Sequence, residues 1–195
     1  MTAPKRAVGR PARYLLEDLV ERVTEEFLVR GYDATSMEDL ATATGLTKSS
    51  LYHHVSGKEE FLRMALTHAL GELFTVLERP EATAGPASQR LRYVVRESVE
   101  VLVSNLPSVT LLLRVRGNTD TERWALQRRR EFDHRLARLV QEAVDEGDLR
   151  DDLDPHLVAR LVFGMVNSVV EWYQPGHRTD VPDALVALAF DGLRR

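Results

Sequence analysis

Cysteine is absent from this chain of 195 residues. That excludes disulfides, thiolate nucleophiles, iron–sulfur clusters and cysteine-ligated zinc. It also fits a reducing compartment, and a cytoplasmic location is expected. Long apolar runs are missing too. The most apolar stretch, 157–170, is interrupted by Arg160 and Asn167, whereas a membrane span needs about 18 or more clean residues, so no membrane partner is expected. The amino end, Met1-Thr-Ala-Pro-Lys-Arg, carries no apolar segment of the kind that directs secretion. Glycine (11) and proline (8) are too few for a low-complexity chain. There is no strand-like alternation and no internal repeat.

Enzyme signatures are missing as well. Gly57-Lys58 lacks the rest of a phosphate-binding loop, because Tyr52 stands where the first glycine belongs and Glu59 where a hydroxyl belongs. No G-x-S-x-G elbow occurs. Of six histidines, His53 and His54 are adjacent and His68, His134, His156 and His177 are scattered, which is not the spacing of a zinc helix. The reading is therefore no enzyme, no metal and no cofactor.

What is present is helical periodicity. Leu16, Leu19, Val20, Val23 and Phe27 form one stripe that stops at Gly31. Ser36-x-x-Asp39 resembles a capping box and opens a short helix that ends before Gly45. Thr47 caps a second short helix carrying Leu51, Tyr52 and Val55. A long stripe runs through Leu62, Leu66, Leu70, Leu73 and Leu77. The segment 79–86, with two prolines and Gly85, reads as a boundary between sub-regions. Beyond it lie stripes through Leu91 and Leu102, a short piece at 109–115, and a long helix opened by Thr119-x-x-Glu122. Another opens at Asp154-Pro155 and a last one at Pro182. The fold class is all-α with about nine helices. It has a flexible basic arm at 1–12, a three-helix head at 13–60 and a helical body at 61–195.

The chain's net charge is −4, but its cations are localised. Residues 1–14 hold Lys5, Arg6, Arg10 and Arg13 without an acid, and residues 47–58 hold Lys48 and Lys58 without one. Local potential acts over a Debye length of about 8–10 Å, so an acidic body does not prevent a basic footprint from meeting phosphates. Residues 36–55 have the layout of a helix-turn-helix. If Leu40, Leu46, Leu51 and Val55 point inward, then Lys48, Ser49, Ser50, Tyr52, His53 and His54 face outward. Such groups donate to phosphates and base edges in the major groove. Thr35, Ser36 and Thr47 lie at helix starts, where hydroxyls and free N–H groups suit phosphate.

The run GYDATSMEDLATATGLTKSSLYHHVSGKEEF resembles the DNA-binding head of the TetR family of one-component bacterial regulators. Gly31-Tyr32, Thr35-Ser36, Leu40-Ala41, Gly45-Leu46-Thr47, Leu51-Tyr52-x-His54 and Lys58 carry the match, which spans about residues 13–70. Over 71–195 the length, the helix count and the DLDP opening of the penultimate helix fit. The resemblance implies that Lys48, Ser49 and His53 lie nearest the bases. Thr35, Ser36, Tyr52, His54 and Lys58 would then hold the backbone. Glu38 stands where some relatives carry a basic base-reading residue; its carboxylate either accepts from cytosine N4 or stays away from DNA. The arm around Val8-Gly9-Arg10-Pro11 either enters a minor groove or is a solvated tail.

The same resemblance implies a body for ligand binding and dimerisation. One recognition helix reads too few base pairs to select a genomic site, so a twofold dimer on a pseudo-palindromic operator is expected. The last two helices are apolar over more of their circumference than one core face requires. Leu161, Met165, Val169, Leu185 and Leu188 are the candidate interface. Phe74, Trp124, Met165, Asn167, Trp172 and Tyr173 are the candidate lining of an effector pocket, with Phe132 among the bulky groups that surround it. Arg128-Arg129-Arg130 reads as a solvated face or as a partner for phosphates of a bulky thioester. The EWYQPG stretch is similar to that of family members that sense acyl-CoA thioesters. The expected function is a repressor released from its operator by a small molecule, an acyl-CoA thioester or another bulky apolar compound. The helix starting near Lys58 would be the lever. The alternative is a dimeric small-molecule-binding protein without DNA affinity.

Overall fold

A computed structural model describes residues 12–176 and 180–191. The basic arm therefore lies outside the described residues. The described chain is helical throughout, and none of its helices is long and apolar enough to cross a membrane. It divides into two units between Ala65 and Leu66.

The first unit contains α1 (Ala12–Arg30), α2 (Met37–Thr44), α3 (Lys48–Tyr52) and the start of α4 (Lys58–Glu78). Its core is built from the expected stripe. Val23 and Phe27 of α1, Leu40 of α2, Leu51 of α3 and Phe61 and Leu62 of α4 are all buried. Turn chemistry sets the bend between α2 and α3. Gly45 adopts φ 70, a left-handed conformation that glycine reaches without strain. The N–H of Leu46 then donates to the carbonyl of Ala41, closing the end of α2. This turn swings Leu46 outward. Its side chain is 38% exposed, contrary to the inward position read from the sequence. Helix α3 is also shorter than its apolar pattern suggests. His53 and His54 lie past its end, in a turn where their N–H groups donate to Ser50 and Leu51.

The second unit contains the rest of α4, then α5 (Pro80–Thr83), α6 (Ala87–Ser104), α7 (Leu106–Arg114), α8 (Asp120–Asp145), α9 (Pro155–Trp172) and α10 (Val181–Asp191). Ten helices are thus present among the described residues where the sequence suggested nine. The additional one, α5, is four residues long, too short to show a period, and lies in the stretch read as a boundary. Helices α6, α8 and α9 pack against one another, and α10 packs on α6. Thr119 caps α8 by accepting from the N–H of Glu122. The Glu122 carboxylate does not return to Thr119 as in a reciprocal box; it accepts from the N–H groups of Gly117 at 2.9 Å and Asn118 at 2.5 Å, and so is buried with its charge hydrogen-bonded. Asp154 accepts from the N–H of Leu157 and Pro155 fills the first helical position of α9.

Candidate functional site

Two sites emerge, one in each unit. In the first unit, the start of α2 is fixed by a complete capping box. Ser36 Oγ accepts from the Asp39 N–H, and the Asp39 carboxylate accepts from the Ser36 N–H at 2.9 Å and from its hydroxyl at 2.6 Å. These bonds, with the Arg30 guanidinium nearby, hold the Asp39 carboxyl below the usual range. Thr47 caps α3 by accepting from the Ser50 N–H at 3.1 Å.

Two residues read as phosphate contacts have structural work instead. Thr35 is buried and its hydroxyl donates to the Gly31 carbonyl at 2.7 Å, so it has no donor left for DNA. The Lys58 ammonium donates to the carbonyls of Tyr32 (2.8 Å), Asp33 (3.2 Å) and Thr35 (2.8 Å). It also lies 4.6 Å from the centre of the Tyr32 ring. An ammonium has three donors, and Lys58 commits all three to the turn between α1 and α2. Neither role was legible, because the partners of both residues are backbone carbonyls.

The remaining residues form one outward surface. Lys48, Ser49, Tyr52, His53 and His54 are exposed, as are the capping residues Ser36 and Thr47, and Ser50 is half-buried. The fold brings Glu38, the acid already singled out in the sequence, against this face. Glu38 of α2 accepts from Lys48 Nζ at 2.7 Å, so the face of α3 is not free of acid. This bond pushes the Lys48 pKa up. A cation, hydroxyls, a phenol and two imidazoles at the start of a helix suit the major groove. A carboxylate among them repels phosphate and accepts only from an amino group such as cytosine N4.

The second site is a cavity of about 50 Å³ within the second unit. Ser98 of α6, Arg129 and Asp133 of α8 and Asn167 of α9 line it, with Phe132 and Phe163 among its apolar walls. Of the six candidate pocket residues, Asn167 is at the cavity. Phe74 packs behind it, edge-on to Phe132 with ring centres 5.8 Å apart, beneath the guanidiniums of Arg128 and Arg135. Trp124 and Tyr173 are half-buried and do not line it. Met165 and Trp172 are exposed on α9. Ser98, Arg129, Asp133 and Phe163 were missed as lining residues. A lone serine in an apolar stripe and an arginine in a triplet carry no local signal of burial.

Of the candidate interface residues, Leu161 and Leu188 are 58% and 77% exposed and Met165 is 39% exposed. With Leu157 and Trp172 they leave an apolar stripe on α9 and α10 uncovered. Val169 and Leu185 do not belong to it: both are buried in the chain's own core, because the apolar circumference of these helices serves the subunit as well as its surface.

The chain matches two family profiles, "Bacterial regulatory proteins, tetR family" over residues 19–65 and "Tetracyclin repressor-like, C-terminal domain" over 84–193. A crystal structure of a TetR-family member from Streptomyces coelicolor A3 is similar at 56% identity and a TM-score of 0.85, covering 91% of each chain. The repressor KstR2 of Mycolicibacterium smegmatis is 28% identical over 163 residues, which is 82% of this chain and 80% of that one. AibR, in a crystal structure with isovaleryl coenzyme A and operator DNA, is 23% identical with a TM-score of 0.76, over 89% of this chain and 97% of that one. A helix-turn-helix unit followed by an all-helical unit, each under its own profile, makes this chain a member of the TetR family of bacterial transcriptional regulators.

Proposed function

We propose that this ligand-responsive, DNA-binding repressor reads its operator through Lys48, Ser49, Tyr52 and His53, and that it does so as a homodimer. The exposed polar face of α3 beside a fully capped α2 carries the reading. It offers donors to base edges and phosphates on a scaffold whose own polar groups are already paired. Ser36, Thr47, Ser50 and His54 flank that face as backbone contacts. Thr35 and Lys58 support it from behind rather than touch DNA.

The uncovered stripe of Leu157, Leu161, Met165 and Leu188 supports dimerisation through α9 and α10, as a four-helix bundle with the twofold mate. A dimer presents two α3 helices to successive major-groove faces and requires a pseudo-palindromic site. A small molecule in the second unit shifts the population between DNA-competent and DNA-incompetent dimers. Its effect cannot exceed its preference for one state over the other. AibR, crystallised with an acyl thioester of coenzyme A and DNA, supports the same class of effector here. A cytoplasmic location follows from a chromosomal target.

Selection of bound duplexes from a random pool tests the reading. Enrichment of an inverted repeat is the expected result. A pool that stays random after several rounds, or an enriched site without twofold symmetry, overturns it.

A further inference from the structure

Glu38 and Lys48 belong to different helices and meet on the outward face of the first unit. Glu38 is the second residue of α2 and Lys48 the first of α3. Lys48 Nζ donates to Glu38 Oε2 at 2.7 Å, with the two side chains 46% and 74% exposed. Among the described residues neither side chain makes another hydrogen bond. The contact therefore occupies one of three ammonium donors and one of two carboxylate oxygens. Two N–H donors and an acceptor oxygen remain, side by side. The adjacent acid, Asp39, is committed elsewhere: its carboxylate accepts from Ser36 and Arg30. An exposed ion pair contributes little to folding, and its opposite charges cancel toward a phosphate backbone. What survives at close range is the order of its hydrogen-bonding groups.

We infer that Glu38 and Lys48 act as one reading unit for a single G·C pair in each half-site, Lys48 donating to guanine N7 and O6 and Glu38 accepting from cytosine N4. The inference rests on the operator reading above and names a base pair for it. In the major groove a G·C pair presents acceptor, acceptor and donor in the order N7, O6, N4. The protein pair presents donor, donor and acceptor, which is the complement. An A·T pair presents acceptor, donor and acceptor. In either orientation at least one of the three protein groups then meets a like group or the thymine methyl. Reversing the G·C pair sets guanine acceptors against the carboxylate. Lys48 alone lacks this selectivity, because a bare ammonium is a point charge that any phosphate satisfies. The carboxylate removes that freedom, and its bond pushes the Lys48 pKa up, which keeps the donors charged. Placement agrees, since residues at the start of the second helix of a helix-turn-helix are those that reach base edges.

Bound duplexes are selected from a random pool by the full-length protein and by its Glu38→Ala and Lys48→Met variants. Both side chains are exposed, so the variants are expected to melt with the wild type. Wild type is expected to recover an inverted repeat with one G·C pair per half-site at which any other pair lowers affinity about tenfold or more. In either variant the preference at that position falls to about threefold or less, and the other positions keep theirs. Single groups of that pair are then deleted in synthetic operators. 2-Pyrimidinone in place of the cytosine lacks the N4 amino group, and 7-deazaguanine in place of the guanine lacks N7. Each lowers wild-type affinity about three- to tenfold. The pyrimidinone lowers Glu38→Ala affinity, and the deazaguanine Lys48→Met affinity, by less than about twofold, because the partner of the deleted group is already gone.

A selected inverted repeat with the same base preferences in wild type and Glu38→Ala overturns the assignment and leaves the operator reading intact. A pyrimidinone effect of equal size in wild type and Glu38→Ala does the same, because it gives the cytosine amino group to another residue. An equal gain of Glu38→Ala on operator and unrelated DNA also overturns it, by making the carboxylate a brake on phosphate binding rather than a reader. A pool that stays random overturns the operator reading and this assignment together.

Discussion

The two units treat their polar groups in opposite ways. In the first, nearly every polar side chain behind the α3 face is paired within the unit. Ser36 is bound to Asp39, Thr35 to Gly31, and Lys58 to three carbonyls. The groups left over point outward. In the second, charge is paired at the surface, but the Ser98 hydroxyl is buried without a partner beside an interior chamber that Arg129, Asp133 and Asn167 also line. A surface that must present fixed donors to a rigid duplex benefits from a finished scaffold. A receptor for a small molecule keeps its unmade bonds inside, where the incoming molecule completes them.

This contrast is sharpest at the uncovered stripe, where the second unit also faces outward. Leu161→Glu combined with Leu188→Glu is expected to convert dimer to monomer in sedimentation analysis. Operator affinity should fall about 10²–10⁴-fold, the avidity of the lost second half-site. A dimeric, DNA-binding double variant would move the interface elsewhere.

Lys58→Met tests whether the first unit is finished from within. Losing three bonds from a charged donor should lower unfolding stability by about 1–3 kcal/mol in urea. A stable variant with weakened DNA binding would return Lys58 to the backbone contacts. Lys48→Ala should leave stability unchanged and weaken operator binding about tenfold, with a salt slope or base preference that changes at one position. Glu38→Gln is expected to act with the opposite sign. It strengthens binding to unrelated DNA about two- to tenfold and narrows the gap between operator and random sequence. Identical selectivity in Glu38→Gln and wild type would remove Glu38 from the reading surface.

The smallest effect is that of Ser36→Ala, about 1 kcal/mol from the lost cap of α2. It has a pH counterpart. Since the Asp39 pKa is depressed in the folded chain, its contribution is present at neutral pH. It disappears as pH falls through the carboxylate range and the folded-state pKa. The gap between the Ser36→Ala and wild-type stability curves should therefore narrow in acid to what the cap bond from the Asp39 N–H alone contributes.

The parts of the molecule that were legible in the sequence are those governed by near neighbours. Ser36-x-x-Asp39, Gly45 and Asp154-Pro155 act over one to four residues, so the two short helices and the start of α9 could be placed without coordinates. Leu46 escaped because it follows a left-handed residue, after which a helical period no longer applies. Lys58 escaped because its acceptors are main-chain atoms of residues 32, 33 and 35, and any sequence supplies those. Arg128-Arg129-Arg130 was read as a unit, either a solvated face or a partner for thioester phosphates, but successive residues on an α-helix point about 100° apart. Arg128 covers Phe74, Arg129 reaches the cavity and Arg130 stays on the surface. Ser98 reads as an ordinary interruption in an apolar stripe until α8 and α9 are laid beside α6.

The chamber's present size has a kinetic meaning. At about 50 Å³ it holds a few water molecules, against the roughly 150 Å³ that admits benzene in an engineered protein cavity. An effector seated there would have to wedge its walls apart, and the pace of induction would be set by how often those walls breathe. Raising the dose would then quicken the response only up to that ceiling.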